Sequence, residues 1–251
     1  MRRAPLALGA LLIGWSACLA LALTHQLPAA VGVAAGLVVV AGTGYALGGR
    51  DPSDTALWLA VLFTALGPVL AATAPFPHLS PTRRVLEVGA LELVALGYAC
   101  RDPGLRTMIA HALRWRGARL ATLASCVAAV PLGVGVRVLA HPSPVTLSGS
   151  AGAGRLVAAV LAVTVFSALP EELVFRGVLT PTLSSFGPVA LVAGTVVAYG
   201  GTYAIGGSWR LLLAAGVLGL AATAVRMRSR SLLPVVGAHC VLSITVLAAV
   251  H

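Results

Sequence analysis

Pro170-Glu171-Glu172-Leu173-Val174-Phe175-Arg176-Gly177 closes an apolar run that begins at Leu156. A carboxylate near the centre of a bilayer costs about 2.5–3.5 kcal/mol even on the most lenient insertion scale. Two of the chain's 7 acidic residues nevertheless stand side by side here. Glu172 and Arg176 are i,i+4 neighbours in the favourable order, so they can pair on one helix face. Glu171 is turned about 100° away from that face and is left as the available carboxylate.

The rest of the chain says why the bilayer is the relevant solvent. Of 251 residues, 59% are hydrophobic and only 10% are charged, and mean hydropathy is +0.97. Soluble domains carry about 25% charged residues. The apolar runs are unalternating and about 17–25 residues long, which fits spanning helices. A membrane β-barrel would show short alternating segments instead. The fold class is therefore all-α and polytopic. The net charge of +10 does not indicate nucleic acid: all 17 basic residues are arginines, most of them at the ends of apolar runs, where they set topology and meet anionic lipid. Cys18, Cys100, Cys126 and Cys240 are far apart in sequence and suggest neither a disulfide framework nor a zinc knuckle.

Taken in order, the runs predict about nine spans, within roughly eight to ten. They lie near 5–24, 28–48, 56–74, 85–100, 120–140, 155–179, 188–205, 211–225 and 232–250. The first reads as an uncleaved helix rather than a signal peptide, because it is longer than a signal core. Arg101 to Arg119 is the most basic part and reads as a partly amphipathic helix on the membrane surface. The Pro-, Ser- and Gly-rich stretch 141–154 reads as a linker. It separates accessory helices, 1–140, from a C-terminal core, 155–251. A cytoplasmic N-terminus puts most arginines inside. The Arg-only, Ala- and Gly-rich usage points to a bacterial plasma membrane.

Two further helices carry polar residues at i,i+4 spacing. His239 lies within the last apolar run with Ser243 one turn on, and Tyr199 and Tyr203 flank Gly200-Gly201. Converging with Glu171, these groups would let the carboxylate deprotonate a water while His239 and Tyr203 position it or donate to a developing oxyanion. Glu87 and Glu92, five apart, do not share a helix face and make a poor catalytic pair.

The order Glu-Glu-x-x-x-Arg, aromatic-x-x-x-polar, His-x-x-x-polar resembles the CPBP family of intramembrane proteases, the CAAX-type prenyl endopeptidases and lysostaphin-resistance-protein-A-like proteins. The resemblance covers about 155–248 and includes Phe175-Arg176-Gly177. It implies an all-helical intramembrane endopeptidase in which Glu171 activates the attacking water, Arg176 orients the motif and His239 holds water or oxyanion. Two positions depart from the family pattern. Tyr203 stands where the second motif brings a histidine, and Ser243 where the third brings Asn or Asp. A catalytic zinc normally has three strong protein ligands, and Glu171 with His239 falls short, so no cofactor is expected.

The expected site is thus Glu171, Glu172, Arg176, Tyr203, His239 and Ser243, acting on an amide bond of a membrane-associated peptide. Two other classes compete. One is a non-catalytic membrane scaffold or peptide-binding protein that kept the fold. The other is a proton-coupled transporter using Glu87, Glu92 and Glu171, which lacks the internal repeats of many transporters.

Overall fold

The computed structural model describes residues 4–24, 26–47, 57–59, 61–62, 64–66, 69, 81–115, 117–140, 160–204 and 209–247. Of residues 4–7, 47, 81–88, 139–140, 201–204, 209, 211–212 and 247, only the backbone is described. Among the described residues every regular element is helical, as expected of a chain whose backbone groups must be satisfied within each span.

Two apolar helices open the chain, α1 (Ala4–Leu23) and α2 (Leu27–Leu47), followed by α3 (Pro81–Ala99). The short helix α4 (Pro103–Ala112) is capped by Asp102, whose side chain accepts from Leu105 N at 2.8 Å. Its inward residues, Leu105, Met108, Ile109 and Ala112, recur at helical spacing, and Arg106 faces out. The partly amphipathic helix expected between Arg101 and Arg119 corresponds to this element, shorter than the basic stretch. Next come α5 (Arg119–Ala140) and one continuous helix over 160–184, here α6. The bundle ends with α7 (Pro188–Ala204), α8 (Trp209–Ser229) and α9 (Leu233–Leu247). Compared with the sequence expectation, α6 runs on to Ser184 rather than stopping near 179. Likewise α8 extends the expected 211–225 at both ends. The linker 141–154 lies outside the described residues.

Leu27–Ala46 and Arg119–Val138 are long and apolar enough to cross a membrane, whereas Leu8–Leu23, Gly89–Ala99, Pro188–Gly200 and Leu233–Val246 are apolar but shorter. The expected nine spans go beyond what these helices show.

The helices before residue 140 pack directly on those after 160: α1 on α7, α3 on α6, α5 on α9. The last pair runs parallel. Gly237 of α9 faces Thr122 and Cys126 near the start of α5, while Gly133 faces Leu242 and Thr245 further along. Both helices therefore begin at the same end of the bundle. A backbone bond from Leu232 N to Ala112 O, 2.7 Å, ties the end of α4 to that same end, and Arg226 Nε donates to the Arg176 carbonyl at 3.3 Å. The basic stretches around Arg114–Arg119, Arg176 and Arg226–Arg230 are thereby linked at one side of the bundle.

Candidate active site

Helix α6 is irregular where it carries Glu171 and Glu172. The α-helical turn Leu169–Glu172 sits between two π-helical segments, Thr164–Ala168 and Leu173–Leu179. Short π segments are rare and concentrate at functional sites. Pro170 supplies a local cause, since it has no N–H to close an α-turn onto Phe166 four residues earlier. That carbonyl faces α3, and Gly89 meets it so closely that a Cβ there would overlap Phe166 O. A residue without a side chain is what lets α3 lie against this wall.

Glu172 and Arg176 form the sealed part of the site. Their exposures are 1% and 0%. The Arg176 guanidinium donates from Nη1 to Glu172 Oε1 at 3.3 Å and from Nη2 to the Gly219 carbonyl of α8 at 3.3 Å. It lies 4.2 Å from the centre of the Tyr199 ring and 5.6 Å from that of Phe175, and the two rings meet edge to face at 4.9 Å. Gly219 is small for a reason, because a Cβ there would come within 2.7 Å of the Tyr199 ring. The buried cation is thus neutralised by Glu172, hydrogen-bonded to α8 and roofed by aromatic faces that attract it. That combination is what makes burying a charge tolerable.

His239 joins this knot from α9. Its Nδ1 is 2.8 Å from Glu172 Oε1. A carboxylate only accepts, so Nδ1–H donates and the second nitrogen is aimed elsewhere. That nitrogen, Nε2, lies 3.9 Å from Glu171 Oε2. The Glu171 side chain is 20% exposed against 2% for Glu172, so the outer carboxylate is the one a reactant can reach. Next to His239, Cys240 donates to Thr164 Oγ1 at 2.9 Å, a second contact that fixes α9 against α6.

Of the six residues expected from the sequence, the structure brings four together: Glu171, Glu172, Arg176 and His239. Ser243 lies one turn further along α9, half-buried. The backbone of Tyr203 continues α7, and its side chain is outside the described set. Two contributors were misjudged from the sequence. Tyr199 is a stacking partner of Arg176 rather than only half of a polar pair. Glu92, set aside beside Glu87, stands on the α3 face that also buries Gly89, Leu96 and Ala99. This face packs on α6, and Glu92 is within electrostatic reach of Glu171. The recurrence of Gly89, Glu92, Leu96 and Ala99 at three- and four-residue spacing was the available signal.

A metal ion would find donor atoms of Glu171, Glu172 and His239 within 4.8 Å of one another. Of the two Glu172 oxygens, Oε1 already receives both Arg176 and His239, while Oε2 is buried without a hydrogen-bond partner.

Residues 153–245 match the family model described as type II CAAX prenyl endopeptidase Rce1-like. That segment takes in all six expected site residues, and the resemblance to the CPBP family extends over it. The family is one of integral membrane proteases. None of the curated proteins and none of the solved structures compared gives a match.

Proposed function

We propose that the protein is an intramembrane endopeptidase that hydrolyses an amide bond of a membrane-associated peptide, with Glu171 as general base. The observation that carries this reading is the 3.9 Å gap between Glu171 Oε2 and His239 Nε2. A water bonded to both at about 2.8 Å would subtend roughly a right angle, close to the angle between its own two hydrogens. Both hydrogens would then point at acceptors, leaving the oxygen lone pairs turned toward a substrate carbonyl.

Each neighbour has a role in that step. Glu172 holds the imidazole by Nδ1–H and so presents Nε2 as an acceptor, the arrangement by which a carboxylate fixes a histidine tautomer. Arg176 supplies Glu172 with a counter-charge inside the bundle. Glu171 takes one proton from the water as the C–O bond forms and returns it to the departing amine when the C–N bond breaks. We assign to Glu92, on the α3 face that packs on α6, the task of holding that proton between the two events. Tyr203 and Ser243, both hydroxyl donors, are the proposed contacts of the oxyanion.

This mechanism uses no metal. A dication among Glu171, Glu172 and His239 would sit beside the Arg176 guanidinium, which is 3.3 Å from Glu172 Oε1, and Tyr203, standing where the second motif brings a histidine, adds no strong ligand.

The test is cleavage of membrane peptides by the purified protein in liposomes, with peptide termini identified by mass spectrometry. Wild-type protein should generate new termini that Glu171→Ala and His239→Ala abolish. Identical termini in all three would defeat the reading. The competing reading, a peptide-binding protein without hydrolysis, rests on the tyrosine at 203. It predicts no new termini and unchanged peptide retention in both variants.

A further inference from the structure

The loop that joins α4 to α5 encloses an open cleft of about 590 Å³, lined among the described residues by Arg114, Trp115, Gly117 and Arg119. It is remote from the chemistry of Glu171 in sequence and is not used by the mechanism. Its place in the membrane follows from α5. Arg119–Val138 is one of the helices able to cross a bilayer, and only 11% of that stretch is buried within the protein. Arg119 is its first residue, so the cleft lies where the hydrocarbon begins. Trp115, 51% exposed, is the residue type that prefers that depth.

The cleft carries positive charge with no carboxylate paired to it among the described residues. Arg114 and Arg119 both face out. The side-chain contact made by Arg114 is with His111 Nε2, at 3.5 Å. Gly117 adopts φ +73°, a left-handed conformation that costs glycine little. It turns the loop so that the two arginines border one space.

Below the cleft, α5 offers a continuous apolar stripe. Leu120, Leu123, Val127, Val130, Val134 and Val138 are all exposed and fall within an arc of about 80° at 100° per residue. A ligand with a phosphate at its head and a hydrocarbon chain below would satisfy both parts at once. We propose that the cleft is a specific site for the headgroup of an anionic phospholipid, with Arg114 and Arg119 on the phosphate, Trp115 at the glycerol level and an acyl chain along the α5 stripe. Occupancy would also brace α9, because the Ala112 carbonyl at the end of α4 holds Leu232 at the start of that helix.

The experiment is native mass spectrometry of the full chain released from nanodiscs of phosphatidylglycerol and phosphatidylcholine, scoring retained lipid. Wild-type protein should keep phosphatidylglycerol in preference. Arg114→Gln with Arg119→Gln should lower that retention roughly thirtyfold, at the usual contribution of an arginine near an anionic surface, and leave phosphatidylcholine unchanged. Arg228→Gln with Arg230→Gln removes the same charge at the same end of the bundle and should retain the preference. An equal loss in both double variants would mean bulk electrostatics and would overturn the site. Displacement of the lipid by soluble glycerophosphate at matched concentration would overturn the lipid as its source. Arg114→Lys with Arg119→Lys guards against misfolding: it should recover most of the retention, and failure to do so in a protein that melts like wild type also counts against the proposal.

Discussion

Glu172 Oε1 and His239 Nδ1 stand 2.8 Å apart across 67 residues of sequence. This bond makes two helices into one site. It also distinguishes the adjacent carboxylates, because Glu172 Oε1 receives Arg176 and His239 while Glu171 Oε2 lies 3.9 Å from the other nitrogen of the same ring.

The first consequence concerns stability. Glu172→Gln leaves Arg176 buried without its counter-charge, and breaking a buried pair from one side costs about 3–5 kcal/mol. Thermal unfolding in detergent should show a large drop. The double variant Glu172→Gln, Arg176→Gln should recover much of it, since no lone charge remains, yet stay inactive because His239 is no longer held by a carboxylate.

Gly89 gives a steric prediction with a built-in control. Gly89→Ala drives a Cβ into the Phe166 carbonyl and should destabilise the protein by about 1–3 kcal/mol, as overpacking does. Gly97, on the same helix, has nothing within 4 Å of its would-be Cβ. Gly97→Ala should be neutral or slightly stabilising, as expected for alanine in a helix interior.

The role proposed for Glu92 separates from that of Glu171 in kinetics. Glu92→Gln keeps the side chain's size, removes its capacity to take and return a proton, and should not weaken the fold. It should lower kcat by about tenfold or more with little change in KM, a general acid–base contribution at the low end of its usual range. An unchanged kcat would show that Glu171 handles its proton alone.

Metal independence is open to a direct check. Prolonged treatment with a membrane-permeant chelator, followed by assay in metal-free buffer, should leave the cleavage rate unchanged. Loss of activity restored by zinc would show that the Glu171, Glu172 and His239 donors hold an ion after all.

Much of the site was legible because lipid makes polar residues conspicuous. Glu171, Glu172 and His239 stand out in apolar runs, and the i,i+4 spacing of Glu172 and Arg176 gave their pairing without a structure. The bond between Glu172 and His239 was not legible, since periodicity says which face a residue occupies but not which distant helix packs on it. Glu92 was missed for the same reason: it was compared with Glu87 on its own helix, whereas the face that carries it packs on α6. Helix ends shifted where π-helical turns carried α6 past Leu179, a departure from the 3.6-residue repeat that hydrophobic pattern does not encode.

Everything proposed for the chemistry turns on Glu171, so the most direct measurement is the rate of amide hydrolysis by Glu171→Gln in liposomes. This substitution keeps the side chain's size and leaves Glu172, Arg176 and His239 in place. The account predicts a protein with wild-type melting behaviour whose cleavage falls by about 10²–10⁴-fold. Cleavage at the wild-type rate by a correctly folded Glu171→Gln would contradict it.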